Sequence, residues 1–233
     1  MEPGMDLMVM LDLDGTLLDT RMLYFIGVPV IVEKYLGMRV GKEDFMDLWG
    51  LDIRICFERF IATAGRPAAL VDEMYAGFED WYIANHSAYA TPYADVGPGL
   101  ARLTMAGIRM GVVTTRTQRR AELVYDFPWG RWMNFVVGGD KVSRRKPCPD
   151  SLDHAIEKFG EGRQRYIYLG DNKSDVEAAK SSHYSIVSAG ALWGAEQPEK
   201  LRASEPDFLF PTFESFSRWV LGNSGACDAS PAV

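Results

Sequence analysis

Asp12 and Asp14 stand two residues apart directly after an apolar run, in the stretch Asp12-Leu13-Asp14-Gly15-Thr16. Carboxylates at that spacing can divide the work of phosphoryl transfer, Asp12 as nucleophile and Asp14 as the acid that protonates the leaving oxygen. A carboxylate approaches a phosphate dianion only if their repulsion is offset, which calls for a hard cation such as Mg²⁺ on oxygen ligands. Asp12, the backbone carbonyl of Asp14, and Asp171 can provide these. Asp175, one helical turn beyond Asp171, can hold a metal-bound water or orient its neighbour. Thr114 offers a hydroxyl, and Lys146 an ammonium, to the equatorial oxygens of the phosphoryl group.

Residues so far apart in the chain meet only if the fold brings them to one edge. In an open parallel sheet, ligands bind beyond the carboxyl ends of the strands, and that is where the candidates fall. The apolar run Leu7–Leu11 reads as a buried strand ending in Asp12. A helix over 100–106, stopped by Gly107, precedes a strand at Arg109–Val113 that ends in Thr114-Thr115. A strand at Phe135–Val137 follows. Lys146-Pro147 leads into a helix over 151–159 closed by Gly160. A strand over 166–169 delivers Gly170-Asp171, and a helix over 174–182 carries Asp175. Short strands at 185–187 and 208–209 and a helix capped by Thr212, reaching about Leu221, complete the pattern. Strands alternating with helices mean a parallel sheet. Residues 17–91 instead show helical spacing, as in Phe45, Leu48, Trp49 and Phe57, Phe60, Ile61, which predicts an all-helical insert. Residues 222–233 are small and polar and read as a disordered tail.

Composition narrows the function further. A formal net charge of −7 argues against a broad nucleic-acid footprint, so an anionic substrate must be held by locally arranged donors. The apolar runs are far shorter than a bilayer span, and the N-terminus lacks the basic-then-apolar layout of a signal peptide; a cytoplasmic protein without membrane contact is expected. Cys56, Cys148 and Cys227 are scattered, with no Cys-x-x-Cys pair, which suggests neither a disulfide framework nor a zinc site. His86, His154 and His183 lack ligand spacing and read as surface or packing residues.

Taken in order, Asp-Leu-Asp-Gly-Thr at 12–16, Thr114 closing the second apolar strand, Lys-Pro-x-Pro-Asp at 146–150 and Gly-Asp-x-x-x-Asp at 170–175 resemble the motifs of the haloacid dehalogenase-like hydrolase superfamily. The similarity runs from Met8 to about Leu221, and Trp193-Gly194 before a Glu-rich helix start is reminiscent of its phosphoglycolate phosphatase-like branch. The resemblance implies an α/β fold, a Rossmann-like parallel sheet core (residues 1–16 and 92–221) with an inserted α-helical cap domain (17–91). It implies a Mg²⁺-dependent phosphatase acting on a small-molecule phosphate ester, phosphoglycolate-like or a sugar phosphate, through an aspartyl-phosphate. The roles carry over with Asp12 as nucleophile, Asp14 as acid and base, and Thr114 and Lys146 as phosphate binders. Asp171 is a metal ligand supported by Asp175, so that the metal set is Asp12, Asp14, Asp171 and Asp175. Thr16 and Thr115 are expected to bind substrate. Thr115 stands where the family often has Asn, and its backbone N–H would serve in place of the amide.

Two relatives of such an enzyme fit less well. Dehalogenases and phosphonate-cleaving members lack the second aspartate, so Asp14 argues against both. A β-phosphoglucomutase-like mutase keeps both aspartates and remains the alternative, and a phosphate-binding regulator without activity is disfavoured because every slot of the site is filled. Choice of leaving group falls to the cap, where Gly50 permits a sharp loop and Arg54 could meet a substrate carboxylate bidentately.

Overall fold

The computed structural model describes residues 7–48, 52–162 and 165–224. It divides the chain into two compact units, one of residues 1–19 and 92–233 and one of residues 20–91. Leu17 and Leu18, which the sequence reading assigned to the insert, are fully buried and belong to the first unit.

The first unit is a parallel sheet. Its strands are β1 (Leu7–Leu11), β4 (Arg109–Val113), β5 (Phe135–Val137), β6 (Arg165–Gly170), β7 (Ile186–Ala191) and β8 (Phe208–Phe210), in the order β5-β4-β1-β6-β7-β8. Two further short strands, β2 (Leu18–Asp19) and β3 (Thr91–Pro92), pair with each other outside this sheet. The central position of β1 explains its unbroken run Leu-Met-Val-Met-Leu. Both faces of the strand are covered, so neither set of alternate side chains needs to be polar. Met8 and Met10 join Val113, Phe135, Tyr168 and the helical residues Leu152 and Ile156 in one core cluster, while Val9 and Leu11, on the other face, are equally buried. The helices are α4 (Val96–Met105), α5 (Gln118–Ala121), α6 (Asp150–Phe159), α7 (Lys173–Lys180), α8 (Pro198–Ala203) and α9 (Phe213–Asn223). α4 packs on α9 closely enough that a Cβ at Gly99 would meet the Phe213 ring at 2.4 Å.

The second unit contains α1 (Arg21–Leu36), α2 (Ile53–Thr63) and α3 (Leu70–Tyr89). Met74, Phe78 and Tyr82 recur every four residues of α3 and are fully buried, with Phe57 of α2 edge-on to Phe78 at 5.8 Å. His86 continues that stripe and is fully buried beside Tyr82, so it is a packing residue.

Two expectations are corrected. The last helix runs through Asn223, so residues 222 and 223 are not tail: Thr212 caps its start, and the Asn223 amide bonds the Trp219 carbonyl. β7 is longer than the stretch read at 185–187, because Ser188 is accommodated in the strand by Asp207, which accepts from both its N–H and its hydroxyl. Arg54, the expected substrate contact, lies in the first turn of α2, N-capped by Asp52. Gly50 lies outside the described residues.

Candidate active site

Asp12, Thr114 and Asp171 emerge at the carboxyl ends of β1, β4 and β6, three neighbouring strands. Pairing continues past the strand itself, since Asp12 N–H donates to Leu169 O at 2.8 Å, so the Asp12 backbone is fixed by the sheet. The turn after it needs glycine twice over. Gly15 has φ +73°, and a Cβ there would sit 2.2 Å from Asp171 Oδ2. Trp193, just beyond β7, buttresses the same turn by donating its indole N–H to Thr16 O at 2.9 Å.

Around this turn the carboxylates of Asp12, Asp171 and Asp175 converge, each offering an oxygen within 4.8 Å of the others. Lys146 lies among them with its side chain only 3% exposed, 2.9 Å from Asp12 Oδ1 and hydrogen-bonded to Asp175 Oδ1. Burial, reinforced by Asp175 and Asp14 and opposed by Lys146, pushes the Asp12 carboxyl up to about 7. Burial, reinforced by Asp175 and Asp12, raises Asp171 well above the ordinary range. For Lys146, burial alone would lower the ammonium, but Asp12 and Asp175 outweigh it and raise its value. So close a group of hard-oxygen donors, Asp12 and Asp175 buried and Asp171 partly so, fits a divalent cation, whose charge would offset their repulsion.

The other expected residues have definite places. Asp175 is fully engaged by the protein: Oδ1 accepts from Lys146 and Tyr168, and Oδ2 from the Asn172 N–H in the capping box of α7. Its carboxylate therefore holds Lys146 and the start of α7. Asp14 turns its carboxylate to Arg116, which grips it with Nε at 2.6 Å and Nη2 at 2.8 Å. Thr16 is fully buried and its hydroxyl donates to Asp171 Oδ1 at 3.2 Å, so its side chain orients Asp171 and is not open to a substrate as expected. Thr114 is buried, and its oxygen accepts from Arg116 N–H at 3.3 Å, which leaves its own hydrogen to be donated elsewhere. Thr115 is exposed at the strand end. Within the helical unit, Arg54 pairs with Asp72 at 2.6 Å and lies over the Tyr75 ring at 4.2 Å.

Two residues at the site were missed in the sequence. Arg116 could have been noticed as a cation two places beyond Thr114 at a strand end. Tyr168 had a weaker signal, a hydroxyl inside an otherwise apolar strand, where burial demands partners. It finds them in Val113 O at 3.0 Å, Asp175 Oδ1 at 3.1 Å and Lys146 Nζ at 2.6 Å, which ties β4, β6 and α7 together beneath the site.

The family model described as "Haloacid dehalogenase-like hydrolase" matches residues 9–189 of the chain. The chain belongs to this family. Among curated relatives, Pyrophosphatase PpaX of Listeria monocytogenes serotype 4a (strain HCC23) is 28% identical over 86% of this chain and 90% of its own. Phosphoglycolate phosphatase of Pectobacterium atrosepticum is 27% identical over 95% of both chains. The fold is shared with the crystal structure of a predicted phosphoglycolate phosphatase from Haemophilus somnus 129PT, at a TM-score of 0.78 and 20% identity over 94% of this chain and 99% of that one. No helix among the described residues of the haloacid dehalogenase-like chain is long and apolar enough to cross a membrane.

Proposed function

We propose that this hydrolase is a Mg²⁺-dependent phosphatase that transfers the phosphoryl group of a small substrate to Asp12 and then to water. The observation that carries the reading is the convergence of Asp12, Asp171 and Asp175 around a buried Lys146 at the carboxyl edge of the sheet. In the first step an Asp12 oxygen attacks phosphorus, the bond to the leaving oxygen breaks, and Asp14 gives that oxygen a proton. In the second, water attacks the same phosphorus, Asp14 takes its proton, and the Asp12 carboxylate is regenerated with release of inorganic phosphate. Lys146 and the Thr114 hydroxyl neutralise and orient the transferring group. Asp12, Asp171 and the Asp14 carbonyl would hold Mg²⁺, whose charge would let the two anions meet.

The names of the relatives widen the substrate class beyond the expected esters, since PpaX is a pyrophosphatase and the Pectobacterium protein acts on phosphoglycolate. The helical insert leaves the core within a few residues of Thr16, and we read it as the cap that helps to choose among substrates. A panel of phosphate esters and pyrophosphate, assayed with Mg²⁺ and with chelator, tests the proposal. Release of inorganic phosphate that requires the metal is expected. An isomerised sugar phosphate with no phosphate release would point to the mutase, and full turnover in chelator would remove Mg²⁺ from the scheme.

A further inference from the structure

Arg116 does something the reaction scheme does not yet use. Its guanidinium holds both oxygens of Asp14, the residue that must exchange a proton with the leaving group, through Nε at 2.6 Å and Nη2 at 2.8 Å. The Arg116 side chain is 9% exposed and that of Asp14 27%, so the fork is sheltered while its partner is open to solvent. The backbone beneath is fixed. Arg116 O accepts from Gly139 N–H at 2.6 Å, a Cβ at Gly139 would lie 2.7 Å from Thr115 O, and one at Gly138 would lie 2.4 Å from Gln118 N. The loop that carries Arg116 therefore rests directly on a glycine pair, and its guanidinium is placed before any substrate arrives. Lys146, at the same edge of the sheet, is already committed to Asp12, Asp175 and Tyr168.

A carboxylate with both oxygens in an arginine fork is badly placed to meet a leaving oxygen, so the pair must open during turnover. The natural competitor is another oxyanion, because carboxylate and phosphate match the guanidinium fork in the same bidentate way. Resting on the phosphatase reading above, we propose that Arg116 determines specificity for substrates whose leaving group carries its own phosphate or carboxylate, which takes the fork and releases Asp14 to the leaving oxygen.

The test compares kcat/KM for pyrophosphate, phosphoglycolate and phenyl phosphate in the wild type, Arg116→Ala and Arg116→Lys with Mg²⁺. Arg116→Ala should lose about 100-fold on the two substrates with anionic leaving groups, chiefly in KM, and at least about tenfold more than on phenyl phosphate. Arg116→Lys, which keeps the charge and fills the space, should fall between the two, and the phosphate and carboxylate arms show which anion the fork prefers. Equal losses on all three substrates would overturn the proposal and leave Arg116 as a support for Asp14. So would a wild type that favours phenyl phosphate over both others, a result that needs no folded variant. Failure of the wild type to hydrolyse any of the three would instead refute the phosphatase reading itself.

Discussion

Lys146 shows how much of the site is electrostatic. Its side chain and that of Asp175 are 3% and 2% exposed, and Asp12 stands at their edge, so the lysine neutralises carboxylates that solvent cannot. Removing one partner of a buried ion pair strands the other, which typically costs about 3–5 kcal/mol. Lys146→Met should therefore lower the unfolding free energy of the metal-free protein by roughly that amount. Adding Asp175→Asn should recover part of it. A loss below about 1 kcal/mol in denaturant titration would show that the carboxylates are compensated by other groups. At this scale the sequence was informative about identity and silent about partners. Asp12, Asp171, Thr114 and Lys146 were legible because strand ends and short motifs are local. The Arg116 grip on Asp14 and the Tyr168 bonds to Lys146 and Val113 join residues far apart in the chain, and no local pattern encodes them.

Among elements, the turn after β1 is the most constrained. Gly15 is in the left-handed region at φ +73°, and Asp171 fills the space a side chain would need. Gly15→Ala should leave the sheet intact, as seen by far-UV circular dichroism, yet displace Asp171 and weaken Mg²⁺ binding at least about tenfold. Unchanged Mg²⁺ affinity would mean that Asp171 can shift freely without loss of the site. Elements with a clear period were legible in advance: β1, β4, β5 and the helix from Asp150 needed only apolar runs, alternation and glycine stops. The four-residue α5 is too short to show a period. The second half of β7, Ser-Ala-Gly-Ala, is strand only because its neighbours pair with it and Asp207 satisfies Ser188.

For the whole molecule, the buried carboxylates link folding, protons and metal. A carboxyl raised from 3.8 to about 7 on folding keeps its proton where the unfolded chain has lost it. The folded state of the metal-free protein then binds more protons, and the Asp12 contribution to stability falls as pH rises from about 4 to about 7. Mg²⁺ binds the ionised carboxylates and should reverse that loss. The rise in Tm on adding Mg²⁺ is therefore expected to be larger by a few degrees at about pH 8 than at about pH 5.5, and this pH dependence is expected to be weaker in Asp12→Asn, where only Asp171 still titrates above the ordinary carboxylate range. A rise independent of pH in the unaltered protein would place the cation away from Asp12. The alternation of strands and helices made the parallel sheet legible at this scale, as did the helical texture of the insert. The strand order β5-β4-β1-β6-β7-β8 was not, because pairing between strands is a property of the folded chain.

The central claim is that Asp12 carries the phosphoryl group, and acid quenching tests it most directly. The Asp14→Asn variant, given phenyl phosphate and Mg²⁺, should form the acyl phosphate with this good leaving group and then lack the base that activates water. Quenched during turnover, digested and weighed by mass spectrometry, it should show one added phosphoryl group on the peptide that contains Asp12, and Asp12→Asn should show none. A phosphorylated peptide from elsewhere in the chain, or no adduct at any time while the wild type turns over the same substrate, would contradict the account.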